Sequence, residues 1–97
     1  MKLRILEPAE RDLIRGFHFY ESQAVGVGSY FLDCLYSDID SLLLYAGIHR
    51  KQYGLRWMLS KRFPYAIYYL IEVETIIVHA VLDCRQNPQR QQERLRR

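Results

Sequence analysis

The sequence predicts an α+β fold of one small sheet: an N-terminal strand, an antiparallel helical hairpin, then a three-stranded antiparallel meander, in the order β-α-α-β-β-β, with room for a short C-terminal helix after Pro88. Three observations predict it. Two successive stretches keep apolar residues at three- and four-residue steps, a glycine-containing turn separates them, and after Gly54 the composition becomes strand-like. A chain of 97 residues with 49% hydrophobic content can bury one core, so residues 1–97 read as a single domain with a basic tail over 86–97.

KLRIL at 2–6 alternates cations with apolar residues, as a short edge strand with one buried face requires. Glu7 and Pro8 end it. Pro8 suits a first helical turn, where a missing N–H costs nothing, and Glu10 and Asp12 favour the positive end of a helix over about 8–22. Leu13, Ile14, Phe17 and Tyr20 form its apolar stripe, and Gly16 in mid-helix permits close packing. SQAVGVGS at 22–29 turns the chain back. Phe31, Leu32, Leu35, Ile39, Leu42, Leu43 and Ala46 keep the helical period, so a second helix is expected over about 28–46 with Gly47 as its stop.

IHRKQYG at 48–54 reads as a basic, polar connection. In LRWMLS, Leu55, Trp57 and Leu59 alternate with Arg56, Met58 and Ser60. FPYAIYYLIEV and TIIVHAVLD are apolar at both parities, the pattern of strands covered on both faces. Glu72, Val73 and Glu74 link them as a hairpin, and Pro64, which cannot donate to a ladder, belongs at a strand start. A helical hairpin covers one face of a sheet; the second needs the tail or a partner protein.

The charge is +3 overall, and the tail accounts for it: five arginines (85, 90, 94, 96, 97) stand against Glu93 alone from Arg85 onward. A polyanion or an acidic protein is an admissible partner. Cys34 and Cys84 lack metal or redox spacing and read as reduced thiols. His18, His49 and His79 fall on a helix, a loop and a strand with no ligand spacing, so neither a metal nor a cofactor is expected. No apolar leader and no stretch of membrane-spanning length is visible, which points to a cytoplasmic protein without membrane contact.

The densest chemistry is KRFPYAIYYL at 61–70, two cations ahead of Phe63, Tyr65, Tyr68 and Tyr69. Those rings either fill a core or floor a site rimmed by Lys61 and Arg62. Arginine's planar fork suits phosphate or carboxylate contacts, which makes Arg56, Arg62 and Arg85 candidates for touching a target.

The element order, with AERDLIRGFHFYESQ, YFLDCL, Arg56 ahead of RFPYAIYY, and the ending LDCRQNP, resembles the RelE/ParE superfamily of small bacterial toxins from type II toxin–antitoxin modules, its ParE-like branch in particular, over roughly residues 3–90. The resemblance implies a toxin neutralised by a cognate antitoxin protein that lays apolar side chains over the bare sheet face; Tyr65, Tyr69 and Arg90 are the antitoxin contacts it points to. ParE-like members inhibit DNA gyrase by binding, and no sequence-specific DNA binding by the toxin alone is implied. RelE-like members cleave mRNA in the ribosome, in which case Arg62 and Arg85 would be the catalytic cations. No tyrosine follows Tyr69, which favours the ParE-like branch. Asp83, Gln86 and Asn87 depart from the polar signature that ends the last strand in that branch, so a changed target or a non-toxic antitoxin-binding module is the remaining alternative.

Overall fold

The structure, a computed structural model, describes residues 1–96; Arg97 of the basic tail lies outside the described residues. The elements are β1 (Lys2–Ile5), α1 (Glu7–Gln23), α2 (Val27–Asp40), α3 (Leu42–Tyr45), β2 (Lys51–Gln52), β3 (Leu55–Leu59), β4 (Tyr65–Glu72), β5 (Thr75–Asp83) and α4 (Pro88–Leu95). They form a five-stranded sheet in the order β1-β5-β4-β3-β2. β3, β4 and β5 are the expected antiparallel meander, and β1 lies parallel to β5 with Lys2 opposite Thr75 and Ile5 opposite Val78.

The helical hairpin is tight because glycine sits at both contacts. A Cβ on Gly16 would lie 2.5 Å from the Phe31 ring, and one on Gly28 would lie 2.7 Å from the Phe17 carbonyl. Neither helix could approach so closely with alanine there. The Glu21 carboxylate accepts from the Gly26 and Gly28 N–H groups, satisfying donors at the start of α2.

The second helix does not run unbroken to residue 46. Ser41 interrupts it, with its hydroxyl donating to the Asp38 carbonyl at 2.6 Å, the local bond through which serine competes with helical pairing. After α3 the chain leaves at Gly47, whose φ of +100° provides the expected stop. The stretch 48–54 is also more than a connection. Lys51–Gln52 pairs with Leu55–Arg56 across a two-residue turn, Tyr53 and Gly54, both at positive φ as a tight hairpin needs.

Alternation sorts the side chains into two cores. Against the helices lie Tyr65, Ile67 and Tyr69 of β4 with Ile76, Val78 and Val81 of β5, packed on Leu13, Phe31, Leu35 and Ile39. On the opposite face Leu55, Ala66, Tyr68, Ala80 and Leu82 surround Leu95, with Trp57 and Leu70 alongside. A bulge explains part of this pattern. Tyr69 faces Val78 whereas Tyr68 faces Ala80, so His79 is an extra residue on β5 and the strand changes parity there. Both faces are thus apolar, and of the two candidate covers for the second face it is the tail that seats a side chain on it. α4 begins at the Asn87 cap and places Leu95, only 3% exposed, in that cluster. Burying a leucine contributes roughly 1.5–3 kcal/mol.

Candidate functional site

The end of the sheet where β4 begins and β5 finishes gathers the cations. The loop before β4 is anchored by Asp38 of α2, itself 5% exposed, which accepts from Ser60 Oγ at 2.6 Å and from the Lys61 N–H at 3.2 Å. Pro64 sits just ahead of the strand, donating nothing, while its carbonyl accepts from the Cys84 N–H at 2.7 Å. Lys61 and Arg62 therefore stand outward on a fixed turn, both exposed.

Arg62 reaches the Tyr30 hydroxyl at 3.3 Å. Tyr30 lies 5.7 Å from the Phe63 ring, Phe63 lies edge-on to Tyr20 at 4.8 Å, and the Tyr20 hydroxyl is 3.2 Å from Arg85 Nη2. An aromatic bridge thus joins Arg62 to Arg85. Arg85 also forks onto Asp83, Nε to Oδ1 at 3.0 Å and Nη2 to Oδ2 at 2.9 Å, and lies 5.9 Å above the Phe19 ring.

This arrangement sets the proton affinities at the site. Burial alone would raise the Asp83 carboxyl, but the hydrogen bonds and charge of Arg85 outweigh it and hold the group below its ordinary value. Arg85 is raised in turn, chiefly by its bond to Asp83. Burial, reinforced by the negative charge of Asp83, pushes the Tyr65 phenol up to about 12, so it keeps its proton at neutral pH.

Arg56 is not part of this cluster. It stands opposite Tyr69 and donates to the His49 carbonyl at 2.7 Å. Tyr69 is fully buried: its hydroxyl accepts from the Gly47 N–H at 3.1 Å and shares a hydrogen bond with His49 Nδ1. Burial, then the charge of Arg56, lowers the His49 pKa.

The structure therefore places Arg62 and Arg85 at the same end of the sheet, linked through Tyr30, Phe63 and Tyr20, and Arg56 elsewhere. Of the two tyrosines expected as antitoxin contacts, Tyr69 is fully buried in the helix-side core, and Tyr65, 6% exposed, packs there too while lining an open pocket beside Gly16 and Asp83. Period-two alternation fixes that alternate rings share a face but not which layer will cover that face. Arg90 is exposed on α4.

Several residues carry more than their sequence positions announced. Lys61, Tyr20, Tyr30 and Asp38 build the cationic end, and only the lysine's place beside Arg62 was a signal. Asp12, expected to serve the helix dipole, is instead buried and holds two elements at once. β1 leaves β5 after the Leu6 N–H bonds the Val78 carbonyl, so the Val81 N–H further along that edge is taken by Asp12 Oδ2 at 3.0 Å. The same carboxylate receives Arg94 of α4. Part of the basic tail is thereby committed within the chain. Among the described residues no cluster of three or more histidine, cysteine or carboxylate side chains could hold a metal ion. No helix among the described residues is long and apolar enough to cross a membrane.

No protein-family model matches the chain, and no curated protein matches it. Among solved structures it is similar to a chain of the chromosomal ParDE TA system from P. aeruginosa, with a TM-score of 0.75 and 16% identity over 84% of this chain and 92% of that one. At that identity the likeness establishes the fold: this chain folds as that ParDE-system chain does.

Proposed function

We propose that the chain is the toxin component of a type II toxin–antitoxin module, of ParE-like type, acting on DNA gyrase by binding and held in check by a cognate antitoxin. The fold shared with the ParDE-system chain supports the class. The observation that carries the mode of action is that Arg62 and Arg85 stand at one end of the sheet and that the acid and the phenol around Arg85 are poorly placed to act as a base. RNA cleavage through the 2′-hydroxyl needs a group that accepts its proton. Asp83 has both oxygens engaged by Arg85 and a lowered pKa, and Tyr65 holds its proton. The end is suited to grip an acidic or phosphate-bearing surface rather than to turn over a substrate.

Purified protein added to a gyrase supercoiling assay tests this directly. Inhibition that rises to completion near equimolar ratio, and that drops at least tenfold in potency with Arg62→Ala plus Arg85→Ala, is expected. Unimpeded supercoiling at large excess contradicts gyrase as the target. The RelE-like reading has one point in its favour, the presence of the same two arginines at one end of the sheet, and it predicts cleaved mRNA in a translating extract that the double alanine variant abolishes.

A further inference from the structure

Opposite the cationic end, the helical cover of the sheet runs out and leaves an apolar ledge. Leu43, Leu44 and Tyr45 of α3 are 47%, 80% and 53% exposed, and Ile48 just beyond is 76% exposed. The ledge continues onto the sheet: a Cβ placed on Gly47 would meet Ile71 Cδ1 at 3.7 Å, and Ile71 is itself 39% exposed. Solitary exposed leucines are ordinary, but five large exposed apolar side chains gathered in one short stretch and the strand end beside Gly47 mark an interaction surface.

The border of the ledge identifies what covers it. An open cavity of about 330 Å³ adjoins Ile71, lined by Lys51, Gly54, Arg56, Leu70 and Glu72. Lys51 and Arg56 are register partners across β2 and β3, so both cations project on the same side of the sheet. Arg50 precedes them and is exposed. Among the described residues neither Arg50 nor Lys51 has an ion-pair partner, whereas Arg11, Arg15, Arg85 and Arg94 all do. Glu72 on the cavity wall and Asp40 at the head of the ledge are the neighbouring acids, outnumbered by the three cations. A second copy of the chain, docked about a two-fold axis, would bring these uncompensated cations towards their own kind.

From this geometry we infer that the ledge and its basic notch form a docking surface for an acidic amphipathic helix of a partner protein, apolar side chains on Leu44, Ile48 and Ile71 and a carboxylate entering between Lys51 and Arg56. The inference deepens the toxin reading by assigning the companion a landing site. It is the binding mode of a helix laid in a groove, with charge selecting the partner.

The probe is a synthetic peptide of about 20 residues with leucines at helical spacing and glutamates flanking the leucine stripe, beside a twin carrying lysines in place of the glutamates. Titrated into the labelled protein, the acidic peptide is expected to move the amide resonances of residues 43–48 and 71, and to bind at least tenfold more tightly than its basic twin. Leu44→Glu with Ile48→Glu removes the binding without shifting the melting temperature. Arg50→Glu with Lys51→Glu inverts the preference between the peptides. Equal binding of both peptides, binding of neither, or a concentration-dependent dimer that Leu44→Glu dissociates would each overturn the assignment. The measurement involves no toxicity, so its failure leaves the toxin reading standing, and a harmless chain that still binds the acidic peptide overturns the toxin reading alone.

Discussion

Arg94 lays its two terminal guanidinium nitrogens on the two carboxylate oxygens of Asp12, at 2.7 and 2.8 Å, across 82 positions of sequence. Because Asp12 also takes the Val81 N–H, this pair fastens α4 to α1 and to the edge of β5 together. Removing the arginine leaves a buried carboxylate with an exposed arginine, Arg15 at 3.5 Å, as its remaining cation. Arg94→Ala is expected to lower stability by roughly 2–4 kcal/mol, less than a fully buried pair loses because Arg94 is itself partly exposed. Urea denaturation of Arg94→Ala, Asp12→Ala and the double variant would give the coupling; an additive cycle would mean the pair does not hold α4 in place.

Leu95 adds the apolar half of that attachment. Leu95→Ala should cost about 2–3 kcal/mol and uncover Tyr68 and Leu82. A dye that binds exposed apolar surface would report it, and an unchanged signal with unchanged stability would place α4's cover elsewhere.

The hairpin between β4 and β5 is turned by Val73 and Glu74 at φ of 42° and 62°, a conformation that a β-branched residue adopts only under strain. Val73 is 97% exposed, so no packing accounts for it. Replacing the two by Asn and Gly should raise stability by about 1–2 kcal/mol, read as a higher melting temperature with the same fold. No gain would show that the turn relaxes in solution.

Two groups give the stability a pH dependence. His49 has a lowered pKa in the fold, so as pH falls below the ordinary value of 6.5 the unfolded chain takes up a proton that the folded chain resists. Stability should therefore decline from near neutrality until the lowered folded value is passed. His49→Gln flattens that part of the profile. Asp83, also lowered from 3.8, acts in a more acidic window: its contribution is present above the unfolded value and lost as pH falls through the folded one. Urea midpoints measured between neutral and acid pH separate the two, and a flat profile around pH 6 would remove His49 from the account.

Much of the fold can be read from local patterns. Leu55 and Trp57 do share one packed face, though Leu59 beyond them is exposed, Gly47 does stop the helix, and Gly16 does mark a close helix contact. What escaped had no local pattern to carry it. β2 is only Lys51 and Gln52, polar residues whose pairing depends on the backbone of Tyr53 and Gly54. The parity change at His79 lets one strand serve two cores while looking uniformly apolar. Of the site, the placing of Arg62 and Arg85 at one end of the sheet followed from their positions before β4 and after β5, but the Tyr20, Tyr30 and Phe63 bridge between them is tertiary, as is the Asp12 and Arg94 clamp.

The central claim is that this fold, with its paired arginines, arrests growth by gripping a cellular target. Viable counts after induced expression in a bacterial host test it most directly. The account predicts a steep fall with the natural chain and substantial recovery with Arg62→Ala plus Arg85→Ala at equal protein level. Undiminished growth while folded natural chain accumulates would contradict it.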